Sequence, residues 1–534
     1  MQNIYANYRG EQYRMSNKSY DLIYYNANVI TLDPNNEKAE MIGIIGDKFS
    51  FVGKFDAKLV NNAKNAIDIN GKTIIPGFID LHTHLYKESH LIHIDLGPFK
   101  TYEDTIKRIE KEVKSKEKNE WIFASNWDES KWEDEKVFLR KGDLDAISPD
   151  NPVYASREDG HLVSVNSRAL ELLPLDESHL GIVRDSNGVP TGILKDVWLD
   201  LSPYYKKLIP KSIEKSTQIA ASKGITSAVD NLSIMPEGQK NTMNAYFKMD
   251  LANKLSVRVF LNPTRELMNE FVRLGIPQNW GSSKLRFSAF KGFFDGSIAA
   301  YTALLDFPYH NTKEYGDIFL NEEELVNQIT IAEQNDYTIC IHAIGKQAIE
   351  RLLTCYEKGI NKAGHSTSTR HHRIEHAEMV DDTSIKKAKE LGILLSMQPN
   401  FLKWEYPGEL YEHRLGKEHY QKLNHFAVIL EHGMKLNFGS DNMPLSPLFG
   451  IKMACSFPSS DIKIPLEEAL KSYTINNAEA LFMQSELGSI SEGKYADFVI
   501  LSKSIYEIPV SEISDDLIEK TIVGGNQVYL KNEI

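Results

Sequence analysis

His82 and His84 stand one residue apart in the stretch PGFIDLHTHL, at the end of an apolar run. Side chains at i and i+2 of a strand point to the same side, and two imidazoles converging at a strand end make half of a metal site. The same spacing also suits a hydrogen-bonded core histidine beside a loop histidine, so other parts of the chain must supply the remaining ligands. Four later stretches that read as strands end in residues able to bind a metal or move a proton: Lys291, His342, His376 and Asp441. A lysine ammonium has no lone pair to give a cation, so Lys291 by itself reads as a salt-bridging or substrate-orienting residue. Asp441 reads either as a ligand or as the N-cap of a following helix.

The elements that must position these residues alternate between strand and helix patterns. The run TIIPGFIDL has the length and residue types of a buried strand, with Pro76 and Gly77 as punctuation inside it. Further strand candidates are PVYAS, ITSAVD, SVRVFLN, RFSAFKGFF, YTICIHA, HHRIEHA, GILLSMQP and KLNFGSD, most of them flanked by helical stretches. Repeated strand and helix units predict an α/β chain with a (β/α)8 TIM-like barrel, whose chemistry sits at the C-terminal ends of the strands. About 110 residues between His84 and Val197 do not fit that rhythm and are read as an inserted subdomain at about 86–196, opened by the charged helix-forming run TYEDTIKRIEKEVKSKEK. Short alternating strands at both chain ends predict a small composite β-sandwich from residues 19–75 and 485–534, flanking a barrel over 76–484. Residues 1–18 read as a polar tail within which Met15 is an alternative start.

The 534 residues carry a formal net charge of −13, which disfavours nucleic acid and anionic membrane surfaces and leaves neutral or cationic small molecules as partners. No run approaches a transmembrane length and the N-terminus has no apolar signal core. Three cysteines, Cys340, Cys355 and Cys455, cannot make a disulfide framework and fit a reducing cytoplasm.

The order His-x-His, Lys, His, His, Asp resembles the amidohydrolase superfamily, and the strings around it resemble the branch that includes the N-substituted formamide deformylases. Those strings are PGFIDLHTHL, DGHLVSVNSRAL, GITSAVD, FKGFFDGSIAAYTALL, HAIG, RHHRIEHA, SMQPNFL, FGSDNMPL and GSISEGKYADFVIL, spread from about residue 20 to about residue 502. The resemblance implies that His82 and His84 bind one divalent metal, usually zinc, that His342 and His376 bind a second, and that Lys291, carboxylated to a carbamate, bridges them. It further implies that Asp441 is both a metal ligand and the proton shuttle, that a metal-activated hydroxide cleaves a linear amide or formamide C–N bond, and that the protein is a homodimer. A heterocycle deaminase would use the same residues. A catalytically idle scaffold would predict missing ligands, whereas all six positions are filled.

Within the insert, His161 and Trp127 are candidates for substrate contact, with insert packing as the alternative for Trp127 and a loop hydrogen bond for His161. Asp295 and Ser297, just beyond Lys291, take a supporting or substrate-facing role from the resemblance. His90 and His93 read as structural or surface residues, His371 and His372 as non-ligands, and Cys340 as a buried thiol sharing a face with His342. The branch commonly has an acidic residue where this chain has Lys346 and an aromatic where it has Asn442, and a lysine at the rim would alter substrate charge preference. Phe293, Phe294, Phe401 and Trp404 near the motifs suit an apolar or aryl group.

Overall fold

The computed structural model describes residues 19–88, 92–197, 199, 201–232 and 235–531; the N-terminal tail with Met15, His90 and residues 532–534 lie outside them. The apolar run expected as one strand is two. Thr73–Pro76 belongs to a terminal β-sheet, whereas Phe78–Thr83 opens the barrel. Gly77 makes the change of sheet possible: a Cβ there would lie 2.2 Å from the Thr226 side chain, while its N–H donates to the Asp497 carbonyl at 3.1 Å. Only glycine tolerates that approach.

Eight strand positions form the barrel: β1 Phe78–Thr83, β2 Ile225–Asn231, β3 Arg258–Asn262, β4 in two pieces (Leu285–Phe287 and Ala289–Phe293), β5 Thr338–Ala343, β6 Arg373–His376, β7 Leu394–Met397 and β8 Asn437–Phe438. Neighbours pair in parallel along two arcs, one from β1 to the first piece of β4 and one from its second piece to β8. A Thr264–Lys291 bridge joins the arcs on one side. On the other, the Asp441 N–H donates to the His82 carbonyl at 2.8 Å and the Ser440 N–H to Asp80 Oδ1 at 2.9 Å. Parallel strands with helices over them are buried on both faces, and β2, β3 and β5 are buried at every residue, polar ones such as Asp230 and Asn262 included. Helices such as Ile209–Ser222, Glu322–Gln334 and Lys346–Lys362 cover the outside.

PVYAS, grouped with the barrel candidates in the sequence, lies instead in a six-stranded sheet of the insert. Val153–Arg157 pairs there in parallel with Ile122–Trp127 and antiparallel with Leu162–Val165, so no edge is left for a barrel strand. The helix Tyr102–Val113 starts where the Thr101 side chain caps the Asp104 N–H. The two terminal regions form a sandwich: one sheet holds 22–25, 41–45, 48–53 and 66–68, and the other interleaves 28–30, 38–39 and 73–76 with 498–501, 518–523 and 526–530. Val29, Ile42, Phe49, Ile74, Phe498 and Ile522 fill the space between them. Among the described residues no helix is long and apolar enough to cross a membrane.

Candidate metal centre

The barrel ends fix the ring orientation of each histidine through bonds to neighbouring strands. His82 Nδ1 lies 2.7 Å from Glu375 Oε2, and His84 Nδ1 lies 3.1 Å from the Asn231 carbonyl. Both oxygens can only accept, because burial's upward push on the Glu375 carboxyl is outweighed by Arg373 and His82, which hold it well below the usual carboxylate range. Each Nδ1 therefore carries the proton, and each Nε2 presents a lone pair. Asp441 Oδ1 sits 3.3 Å from His84 Nε2 and 3.6 Å from His82 Nε2. One atom each from His82, His84 and Asp441 falls within 4.8 Å of the others. Three acceptors gathered this closely repel one another unless a cation lies among them, so the donor set fits a divalent metal bound through nitrogen and oxygen.

Lys291, His342 and His376 stand beside this group. The Lys291 amine is buried without a hydrogen-bond partner, 4.9 Å from the centre of the Phe293 ring, and burial lowers its pKa. His376 Nδ1 is likewise buried and unpartnered, with its ring 4.4 Å from that of His342 and 4.8 Å from that of His82. His342 Nε2 donates to the Gly296 carbonyl at 3.0 Å, which leaves Nδ1 as its basic nitrogen. Burial holds both imidazoles well below their ordinary pKa, in the neutral form that can bind metal. His376 and Asp441 both adopt left-handed backbone angles, φ 75° and 52°. Non-glycine residues in this region cost about 1 kcal/mol or more and cluster at functional sites.

These residues open into a cavity of about 230 Å³ whose opposite side is made by the insert. His161 lines it, with Nδ1 2.6 Å from Asp196 Oδ1 and its ring 5.3 Å from that of His342. Burial disfavours the His161 charge, but Asp196 outweighs it and raises the pKa. Trp127 does not line the cavity: it is fully buried in the insert, stacked on Trp132, with its indole N–H on the Ala155 carbonyl. Asp295 does not line it either. Its carboxylate accepts the N–H groups of Leu304, Ile344 and Gly345, so it is a backbone clamp beneath His342, and burial pushes its pKa up to about 7 despite those bonds.

Lys346 stands outside the cavity, paired with Asp306 and Asp381 at 3.3 and 3.5 Å, so the rim charge expected there is already neutralised. Asn442 does line the cavity, and its Oδ1 accepts the His84 N–H at 2.7 Å. Of the four aromatics near the motifs, Phe293 alone lines the cavity, while Phe401 stacks on His376 from behind. His372 pairs with Glu333 at 3.1 Å and His371 stacks on Phe482, both away from the centre. Cys340 is buried, its thiol pushed up to about 11 by burial. Two participants were given no part in the site by the sequence. His93, read as structural or surface, is 8% exposed and lines the cavity. Glu375 orients His82, and the signal for it was the Arg-x-Glu alternation inside a fully buried strand, since Arg373 Nε donates to Glu375 Oε1 at 2.9 Å.

A family model described as the amidohydrolase family matches residues 65–529. The chain is 27% identical to the putative amidohydrolase YtcJ of Bacillus subtilis (strain 168), over 96% of this chain and 99% of that protein. It is 26% identical to the N-substituted formamide deformylase of Arthrobacter pascens, over 95% of this chain and 97% of the relative. Among solved structures it is similar to an uncharacterized metal-dependent hydrolase from Pyrococcus furiosus, with a TM-score of 0.68 and 25% identity, covering 90% of this chain and 99% of that one.

Proposed function

The chain belongs to the amidohydrolase family, and on that premise we propose that it is a zinc-dependent hydrolase of non-peptide C–N bonds in small linear amides or N-substituted formamides. The observation that carries this reading is the convergence of His82, His84 and Asp441 with their acceptor atoms turned toward one another. Together with Lys291, His342 and His376 they would hold one or two divalent ions. Bound there, the metal would supply Lewis acidity, which lowers the pKa of a bound water from 15.7 to about 7 and polarises a carbonyl oxygen.

Asp441 takes the proton of the attacking water while the water oxygen bonds to the carbonyl carbon. The same carboxyl then returns that proton to the departing nitrogen as the C–N bond breaks. His161, held by Asp196, contacts the substrate from the insert side. Lys291, a buried amine with lowered pKa, adds carbon dioxide at Nζ and releases a proton, becoming a carboxylate-like ligand. On this reading the barrel spans residues 76–484 and carries the insert at 86–196, flanked by sandwich segments 19–75 and 485–534. Three buried thiols support a cytoplasmic setting, and the branch resemblance supports a homodimer.

The test is metal content per chain, by elemental analysis of protein purified without chelator and with bicarbonate. Two equivalents of zinc, with a Lys291→Ala variant losing metal and recovering it with short carboxylic acids, is the expected result. One equivalent would reduce the centre to His82, His84 and Asp441, and none would overturn the hydrolase reading.

A further inference from the structure

We propose that Arg157 and Asp159, on the insert side of the cavity, form a second polar subsite that reads a neutral group with both a carbonyl oxygen and an N–H, so that the substrate is an amide carrying a further carboxamide or ureido group. The inference rests on the C–N hydrolysis reading above and names the substrate class of that same site. Arg157 ends the insert strand Val153–Arg157, and Asp159 lies in the turn after it, closed by the Gly160 N–H on the Arg157 carbonyl at 3.0 Å. Both line the cavity, among the polar side chains of Ser125, Asn126 and Ser156.

The Arg157 guanidinium is fully buried and only partly used. Nη2 donates to Asp128 at 2.6 Å and Nε to Glu129 at 2.9 Å, whereas Nη1 is buried without a hydrogen-bond partner, 3.8 Å from Asp159 Oδ1. Leaving such a donor unmade is costly, so an acceptor arriving from the cavity is favoured there. Asp159 is held by the Ser297 hydroxyl, which donates to Oδ2 at 2.8 Å, while Oδ1 takes only a long bond of 3.3 Å from the His161 N–H. Oδ1 therefore keeps a lone pair for a substrate donor. A donor and an acceptor too far apart to satisfy each other are complementary to the C=O and N–H of one planar amide. Ser297 directly follows Gly296, whose carbonyl orients His342, so the subsite and that histidine are anchored on one loop.

Charge selects the neutral group. Arg157 already faces Asp128, Glu129 and Asp159, so a substrate carboxylate would add a further negative charge, and a substrate ammonium would stand beside the guanidinium. The neighbouring charges are matched as well, Glu158 by Lys403 and His161 by Asp196, each at 2.6 Å.

Three formamides of similar size and shape separate the cases: N-formylglycinamide, N-formylglycine and N-isobutylformamide. With protein supplied with zinc, kcat/KM for N-formylglycinamide should exceed that for each of the others by at least about tenfold, since a site built to hydrogen-bond its substrate rejects an analogue lacking those groups. Arg157→Lys keeps a positive charge opposite Asp128 and Glu129 but loses the fork. It should bring N-formylglycinamide to within about threefold of N-isobutylformamide, with zinc content and thermal unfolding unchanged. If that variant does not fold, Asp159→Asn reads the same subsite: with one negative charge removed, N-formylglycine should gain at least about tenfold relative to N-formylglycinamide. Absence of the wild-type preference, or its persistence unchanged in a folded variant, would overturn the inference. If wild type cleaves none of the three, the C–N hydrolysis reading fails, and calorimetric binding to the zinc-supplied wild type decides the subsite by itself. Binding of N-formylglycinamide at least about tenfold tighter than the other two would uphold it, and a smaller difference, or no binding, would overturn it.

Discussion

The cavity has two faces of different construction. On the barrel face, each of three histidines is oriented by one bond inside the barrel: His82 by Glu375, His84 by the Asn231 carbonyl and His342 by the Gly296 carbonyl. The insert face sets Tyr154 among polar side chains such as Ser125, Asn126, Ser156 and His161, and is attached to the barrel mouth by ion pairs, Glu158 to Lys403 and Glu129 to Arg414 at 2.7 Å. The barrel bonds tie each ring to a neighbouring part of the barrel, holding atoms in the fixed geometry chemistry requires, whereas the insert is a separate sheet docked at the barrel mouth, whose lining can change without moving the barrel strands. The difference teaches that reaction type and substrate choice are carried by separable parts of the chain.

Four substitutions test that division, ordered by the size of the change. Asp441→Asn should lower kcat by about 10³-fold or more, because an amide cannot take the water proton; thermal unfolding should show the fold intact, and retained turnover would remove Asp441 from proton transfer. Glu375→Gln should weaken metal binding about 10–100-fold, the usual cost of losing the partner that fixes a ligating imidazole, as read by competition with a chelator. An unchanged metal affinity would mean that the barrel face is not organised through that bond.

On the other face, Lys403→Met should raise KM by about tenfold, equivalent to about 1.4 kcal/mol, with metal content and kcat unchanged. A fall in metal content would merge the two faces into one unit. Glu405, two residues on, is buried, and burial together with Glu378 pushes its pKa well above the usual carboxylate range against a bond from Asn424. With the folded pKa raised, the folded state keeps a proton that the unfolded state releases, so stability falls as pH rises above about 4.5. Glu405→Gln should flatten that slope just above pH 4.5 in urea unfolding, and leave KM unchanged. An identical slope in the variant would place the proton elsewhere.

The barrel, and the gathering of His82, His84, Lys291, His342, His376 and Asp441 at one end of it, were legible because they rest on local signals. Buried parallel strands read as apolar runs, and each such run near the site trails into a histidine, lysine or aspartate. What could not be read depends on meetings across the fold. Trp127 looked available until the insert sheet enclosed it beside Trp132. Asp295 looked substrate-facing until the loop after β5 supplied the backbone N–H groups of Ile344 and Gly345. His93 lacked a signal because its place in the cavity comes from ring packing against Phe123 and Tyr205, 30 and more positions away. Lys346 illustrates the reverse error: a charge that stands out in a motif is silent once Asp306 and Asp381 lie beside it.

The split at Gly77 also sets a schedule for synthesis. Thr73–Pro76 leads directly into the strand carrying His82, yet one of its two hydrogen-bonding neighbours, Phe498–Leu501, arrives roughly 420 residues later. At about 5–20 residues per second the ribosome needs about 20–80 s to deliver it. Throughout that interval the nascent chain carries a bare β-edge next to His82 and His84, and unpaired edges recruit other chains. Nascent or C-terminally truncated chains that lack the last strands should therefore depend on chaperones and be prone to aggregate, even with every residue of the barrel already made.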